Sequence, residues 1–335
     1  MPRGFPPLLD QADRHVAERF SYGVDTTLAQ EVRAAGGGAA WFEQQLTGLV
    51  LESPRALTVA TWFPQLDLPA PLVRRLQEQG HRTVRETADE LVARTFALRT
   101  LTRRHVHETM VDFWSNLLYV PAGEGRSWPW RADYDRVVRQ HALGSFSALL
   151  KATVTHPAMT GYLTNDLNRR GAINENLGRE VLELHTVGRE AGYSERQVVD
   201  SSKILTGFTL DDTTTSRAGY DPERHATGRV RVLDFTHRNA DADGRAVLDA
   251  YLEHLALHPA TARRLARRLA VRFVSDDPPR GLVKDVARAY RRSGSDIPST
   301  LRALVAHPAF RRARWEKTRN PSDDVVHMAR VLGLR

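Results

Sequence analysis

The chain has 335 residues, 41% hydrophobic and 26% charged, enough to bury a substantial core and unlike a disordered chain. It contains no cysteine, which excludes disulfides, thiolate nucleophiles and cysteine-ligated zinc. Its net charge of +8 raises a nucleic-acid partner, but only four of the 48 basic residues are lysines (Lys151, Lys203, Lys284, Lys317) and the rest are arginines spread along the chain.

The opening MPRGFPPLLDQADRHVAERF has no apolar core ahead of its charges, so it does not read as a signal peptide. No uncharged run approaches the ~20 apolar residues of a membrane span, and the expected location is the cytoplasm. Apolar spacings of three and four predict helices over 9–33 and 39–51, separated by a turn at 36-GGG-38. The three prolines of 61-TWFPQLDLPAP-71 predict irregular structure. Residues 83–119 form one long periodic segment, one helix or two. The stretch 121-PAGEGRSWPWR-131 predicts a loop whose tryptophans cover a core edge or a ligand.

His-Pro-Ala occurs three times, at 156–158, 258–260 and 307–309, each time after one apolar helical segment and before another. Proline suits the first turn of a helix, where its missing N–H has no partner to lose, so the repeat reads as a helix–turn–helix connection. The spacings are too uneven for a solenoid. A capping box at 194-SERQ-197 predicts a helix running to Gly207. The period then changes. Residues 208-FTL-210 and 229-RVRVLDF-235 alternate and predict a two-stranded ribbon, with the polar stretch 211–228 as a loop between them. The segment 239-NADADG-244 imitates the start of a calcium loop, but Ala250 stands where a bidentate carboxylate is needed, so a turn with Asp243 capping the next helix is expected. From 245 onward the chain is helical. The densest basic run, 263-RRLARRLAVR-272, interleaves apolar residues at helical spacing, so its arginines read as a solvated face, and nucleic acid is not an expected partner. The fold class is mostly α: a multi-helix array with a small two-stranded β insertion near 208–235. It is read as one domain over 1–335, with that insertion as the one place to divide it.

Two helices carry chemistry. On 174-NENLGREVLELHTVG-188, Leu177, Val181 and Leu184 share an apolar stripe with His185 beside it, opposite Glu175, Asn176, Arg179, Glu180 and Glu183. Glu175–Arg179 and Arg179–Glu183 are i,i+4 pairs able to form an ion ladder. On 103-RRHVHETMVDFWSNLLYV-120, one face carries His105, Glu108, Asp112 and Asn116. Carboxylates from facing helices hold divalent metals or make acid–base pairs in helical bundles. No zinc-protease motif is present, since 107-HETMV-111 ends in valine, and there is neither a nucleophile elbow nor a phosphate-binding loop.

The chain resembles the bacterial family known as domain of unknown function 1800. The resemblance rests on 32-VRAAGGGAAWFEQQL-46, 113-FWSN-116, 172-AINENLGREVLELHTVG-188, 193-YSERQVVDSSKILTGF-208 and 263-RRLARRLAVRFVSDDPP-279, in the expected order. It implies no established reaction. It implies frequent export of relatives, often by the twin-arginine route, and a protein partner from the domain of unknown function 1501 family. It also implies a histidine after Asn116, where this chain has Leu117. A motif fixing Asn174, Glu175, Asn176, Arg179, Glu180 and Glu183 specifies side-chain geometry, which a merely wet face does not need. The jobs that need it are a buried hydrogen-bonded network and a binding site.

Two functions follow. The leading one is a non-catalytic binding or assembly protein, with 121–131 and 211–228 as partner-facing loops. The alternative is a hydrolase-like enzyme, dependent on a metal or on carboxylates and acting on a polar substrate. There, Glu175, Glu180 and Glu183 would face His105, Glu108 and Asp112, with Arg179 orienting an anion, Asn174, Asn176 and Asn116 in the binding shell, and a divalent metal of unassigned ligands as the cofactor.

Overall fold

The computed structural model describes residues 8–211 and 214–333. The N-terminal third is built of short helices: α1 (Gln11–Arg19), α2 (Thr26–Ala35), α3 (Gly38–Leu46), α4 (Pro54–Trp62) and α5 (Ala70–Glu78). Side-chain caps start three of them, at Asp10, Asp25 and Ser53. The helix expected over 9–33 is therefore two, because Asp25 caps a new start after α1 has ended at Arg19. The periodic segment 83–119 is likewise two helices, α6 (Val84–Leu101) and α7 (His105–Leu117). A capping box of Thr83 and Glu86 opens α6.

The 121–131 segment turns inward, and Trp128 and Trp130 are buried in a 3-10 turn, so they cover the core. Beyond it lie α8 (Arg131–His141), α9 (Phe146–Val154), α10 (Pro157–Tyr162), α11 (Asn176–Glu180) and α12 (Glu195–Ile204). The C-terminal part is α13 (Arg245–Leu257), α14 (Pro259–Phe273), α15 (Arg280–Arg292), α16 (Ile297–Ala306), α17 (Pro308–Arg312) and α18 (Pro321–Val331). All three His-Pro-Ala sequences work as expected at helix starts. In each, the histidine is the N-cap, its Nδ1 accepts the alanine N–H at 3.1 Å, and proline occupies the first turn.

The β insertion differs from the expected ribbon. Strand β1 (Phe208–Asp211) pairs antiparallel with β2 (Arg217–Tyr220), which lies inside the stretch read as a loop. Strand β3 (Val230–Val232) pairs with β4 (Phe235–His237). Each strand takes the next extended segment as its partner, which closes the shorter loop. Val230 and Val232 dock on α12, where the Asp200 carboxylate accepts the Arg231 N–H at 3.1 Å. The N-cap of α13 is Gly244 and not the expected Asp243, which stands one residue earlier and accepts the Arg245 N–H at 3.0 Å. The Asn239 side-chain oxygen is bonded to His225 at 2.8 Å, so it is committed to structure.

The main apolar core runs through elements from Val16 to Ala313, with α14 packed on α15 and α15 on α16. No helix among the described residues is long and apolar enough to cross a membrane.

Candidate functional site

Two of the four residues on the polar face of α7 are committed to internal packing. His105 is buried beside Trp41 and held well below the ordinary imidazole range, first by burial and then by Arg330, so it is neutral. Glu108 is buried and receives a hydrogen bond from Arg139 at 2.6 Å, while His107 lies 3.4 Å away. Burial alone would raise its pKa, but Arg139 and His107 more than offset that and hold it at about 2. Arg139 also binds Asp135, which meets Arg94. Asp112 belongs to a second network, with Arg99 at 2.6 Å and Arg272 at 3.3 Å, and Arg272 continues to Asp323 at 3.0 Å. Asn116 is exposed and donates to the Asp112 carbonyl at 2.8 Å.

The Asn-Glu-Asn helix is divided by a π-helical turn over Val181–His185, directly after α11. The wider turn changes which residues face inward. Val181, Leu182 and His185 are buried, whereas Leu184, expected on the apolar stripe, is exposed. The expected Arg179–Glu183 pair does not form. Arg179 binds Glu175 at 2.8 Å and reaches Glu195 of α12 at 2.6 Å, while Glu183 lies 3.4 Å from Arg189. Asn174 serves a structural network: its N–H donates to Asn168, and its own side chain accepts the Asn176 N–H, both at 3.0 Å. Buried Asn165 and Asn168 bind the Leu205 and Ser202 carbonyls of the α12 C-terminus. Glu180 is half-buried with no partner on Oε2 among the described residues, and burial first, then Glu183, raises its pKa.

The six groups expected to meet therefore do not form one acidic cluster, and the described residues contain no set of three His, Asp or Glu side chains able to hold a metal. What does meet is smaller. Asp112 and Asn116 of α7 share a cleft of about 1090 Å³ with Glu183 of the π turn. The wall opposite is α14, which presents Arg263, Arg264, Arg267, Arg268 and Arg272. Gly188 has φ +78°, and a Cβ there would sit 2.9 Å from an Arg264 guanidinium nitrogen, so the bare glycine lets α14 approach. Arg264 donates to the Leu184 carbonyl at 3.2 Å, and Arg272 is neutralised by Asp112 and Asp323. Arg263, Arg267 and Arg268 have no ion-pair partner among the described residues. The arginines expected to form a plain solvated face thus line a concave surface. Helical spacing alone does not separate the two cases.

The family described as a protein of unknown function (DUF1800) matches residues 15–334, nearly the whole chain. The chain belongs to this family. In this DUF1800 member, Leu117 is buried in the core and its carbonyl lies 3.2 Å from Nδ1 of His185. A carbonyl can only accept, so Nδ1 carries the proton and His185 is the donor. Burial pulls its pKa down to about 4. Comparison with curated proteins and with solved structures finds no match.

Proposed function

We propose that the protein is a non-catalytic binding protein whose ligand occupies the cleft between α7, the π turn and α14. The ligand is a hydroxyl-bearing anion such as a uronate or a sugar phosphate. The observation that carries this reading is the pairing of unlike walls in one cleft: uncompensated Arg267 and Arg268 face Asp112, Asn116 and Glu183. Guanidinium forks match carboxylate and phosphate oxygens. Glu183 and the Asn116 amide oxygen accept from hydroxyls. The test is titration calorimetry at low salt with digalacturonate. We expect binding that weakens as sodium chloride rises, is lost in Arg268→Glu, and is absent for the uncharged methyl ester of the same sugar. No binding of digalacturonate by the folded protein at low salt would overturn the reading.

One observation favours a second reading, a carboxylate-dependent enzyme. Glu180 and Glu183 lie within one turn, and Glu180 is half-buried, with a raised pKa and an unpartnered oxygen. A half-buried carboxyl with a raised pKa can serve as a general acid or base. Cleavage of an oligogalacturonide that disappears in Glu180→Gln while binding persists would establish it. Unchanged substrate after prolonged incubation across pH 4–8 would dismiss it.

A further inference from the structure

The far side of the α14 arginine ridge is a second groove. Arg263 and Arg267 line both the cleft and this groove, which encloses about 790 Å³ between α14 and α15. The opposite wall is α15, with Arg280, Lys284 and Arg288 at four-residue intervals, followed by Arg291 and Arg292. Those intervals put Arg280, Lys284, Arg288 and Arg291 on one stripe about 16 Å long, from 1.5 Å of rise per residue. Among the described residues, seven cations line the groove, two from α14 and five from α15, and no carboxylate does. Arg288 meets Asp285 of its own helix at 3.3 Å; the other six have no ion-pair partner among the described residues. Like charges this close repel, and an anionic ligand would relieve that repulsion. The floor carries Leu257, Pro259, Val283 and Ala287, and no aromatic side chain among the described residues lines the groove.

We infer that the cleft and the α14–α15 groove form one continuous track, with Arg263 and Arg267 as the ridge between them, and that the track binds a linear anionic polysaccharide. The inference rests on the cleft reading above and extends it from a single anionic sugar to a chain. Regularly spaced cations call for a ligand with charges at regular intervals. The acceptors of the cleft call for hydroxyl donors, which inorganic polyphosphate lacks. The apolar floor suits the non-polar faces of sugar rings. Single-stranded nucleic acid is held by a basic groove along its backbone together with base stacking on aromatic side chains, and among the described residues the α14–α15 groove offers no aromatic side chain and the cleft only Phe113.

The test compares digalacturonate with a galacturonate oligomer of about ten units, at low salt, on the whole protein and on two variants. Arg280→Glu/Lys284→Glu alters only the second groove. Both side chains are exposed and near the N-terminal end of α15, where glutamate is favourable, so the helix is kept, and a melting curve checks this. Arg268→Glu alters only the cleft. We expect the oligomer to bind at least tenfold more tightly than the dimer. The groove variant should lose about that tenfold for the oligomer and nothing for the dimer, and the cleft variant should lose both. An oligomer no tighter than the dimer, or one indifferent to the groove variant, would overturn the track and leave the cleft reading standing. Oligomer binding that depends on the groove without any dimer binding would overturn the cleft reading instead. Tighter binding of inorganic polyphosphate or of oligo-dT, with the same dependence on Arg280 and Lys284, would overturn the assignment to a polysaccharide.

Discussion

Gly178 shows how a single position sets the approach of two helices, α11 and α12. A Cβ at Gly178 would lie 2.1 Å from the Ser202 hydroxyl and 2.8 Å from its backbone nitrogen, and the Ser201 hydroxyl donates to the Gly178 carbonyl at 3.1 Å. Gly178→Ala should therefore destabilise the protein by about 1–3 kcal/mol through overpacking, read as a lower urea midpoint. Glu108 carries a different load. Its carboxylate is held at a pKa of about 2, below the model-compound value of 4.5. A depressed carboxylate contributes stability that is complete above the unfolded value and is lost as pH falls toward the folded one. Glu108→Gln should lower stability at pH 7 by about 3–5 kcal/mol, since it leaves Arg139 buried with one partner fewer, and should flatten the acid limb of the stability curve between pH 4.5 and 2. His185 also loses stability toward acid, in a higher window. Its folded pKa of about 4 lies below the ordinary 6.5, so the neutral ring is favoured in the fold. That stability is whole above pH 6.5 and erodes as the pH falls to 4. Urea midpoints of His185→Phe should show a weaker pH dependence over that interval.

The π turn and the capped corners decide where side chains point. Carrying α11 onward as an ordinary helix would keep Leu184 on the inward stripe with Leu177 and Val181. The π turn instead brings Leu184 out into the cleft and leaves Glu183 beside it. Glu183 is partly buried and makes one loose ion pair, with Arg189 at 3.4 Å. Glu183→Gln should leave the melting temperature nearly unchanged, within about 0.5 kcal/mol, while weakening sugar binding. The three His-Pro-Ala corners are stability elements. His258→Ala removes the cap of α14 and should cost about 1 kcal/mol, and His258→Asn should recover most of it, as measured by thermal melts.

On the adjoining faces of α14 and α15 lie seven cations of which only Arg288 is in an ion pair among the described residues, while many other arginines are paired in ion networks. Examples are Arg94, Arg99, Arg139 and Arg272, which bind Asp135, Asp112, Glu108 and Asp323. A patch kept for binding is a cost to folding. Arg267→Glu should thus raise stability at low salt by about 0.5 kcal/mol, through new pairs with Arg263 and Arg264 one turn away. On the proposed function, added digalacturonate should raise the melting temperature of the parent protein and should not do so for this variant. Equal stability of parent and variant at low salt would show that the ridge arginines are screened already.

The helical class, the His-Pro-Ala helix starts and the Ser194 capping box could be read from the sequence because each depends on hydrogen bonds or periodicity within a few residues, whereas the break in 83–119 and the capping role of the three histidines came from the structure. The resemblance carried the family, through motifs spread over nearly the whole chain. The sequence also singled out Asp112, Asn116 and Glu183, but grouped with residues that the fold commits elsewhere: His105 and Glu108 to the core, Asn174 to the asparagine network, Glu175 and Arg179 to a surface ladder with Glu195. Strand partners, the π turn and the buried pair Asn165 and Asn168 gave no local signal. Arginines at helical spacing have the same pattern whether they face open water or a ligand. Only the packing of α14 between the π turn and α15 made two concave surfaces of them, because concavity belongs to neighbouring elements and never to one helix alone.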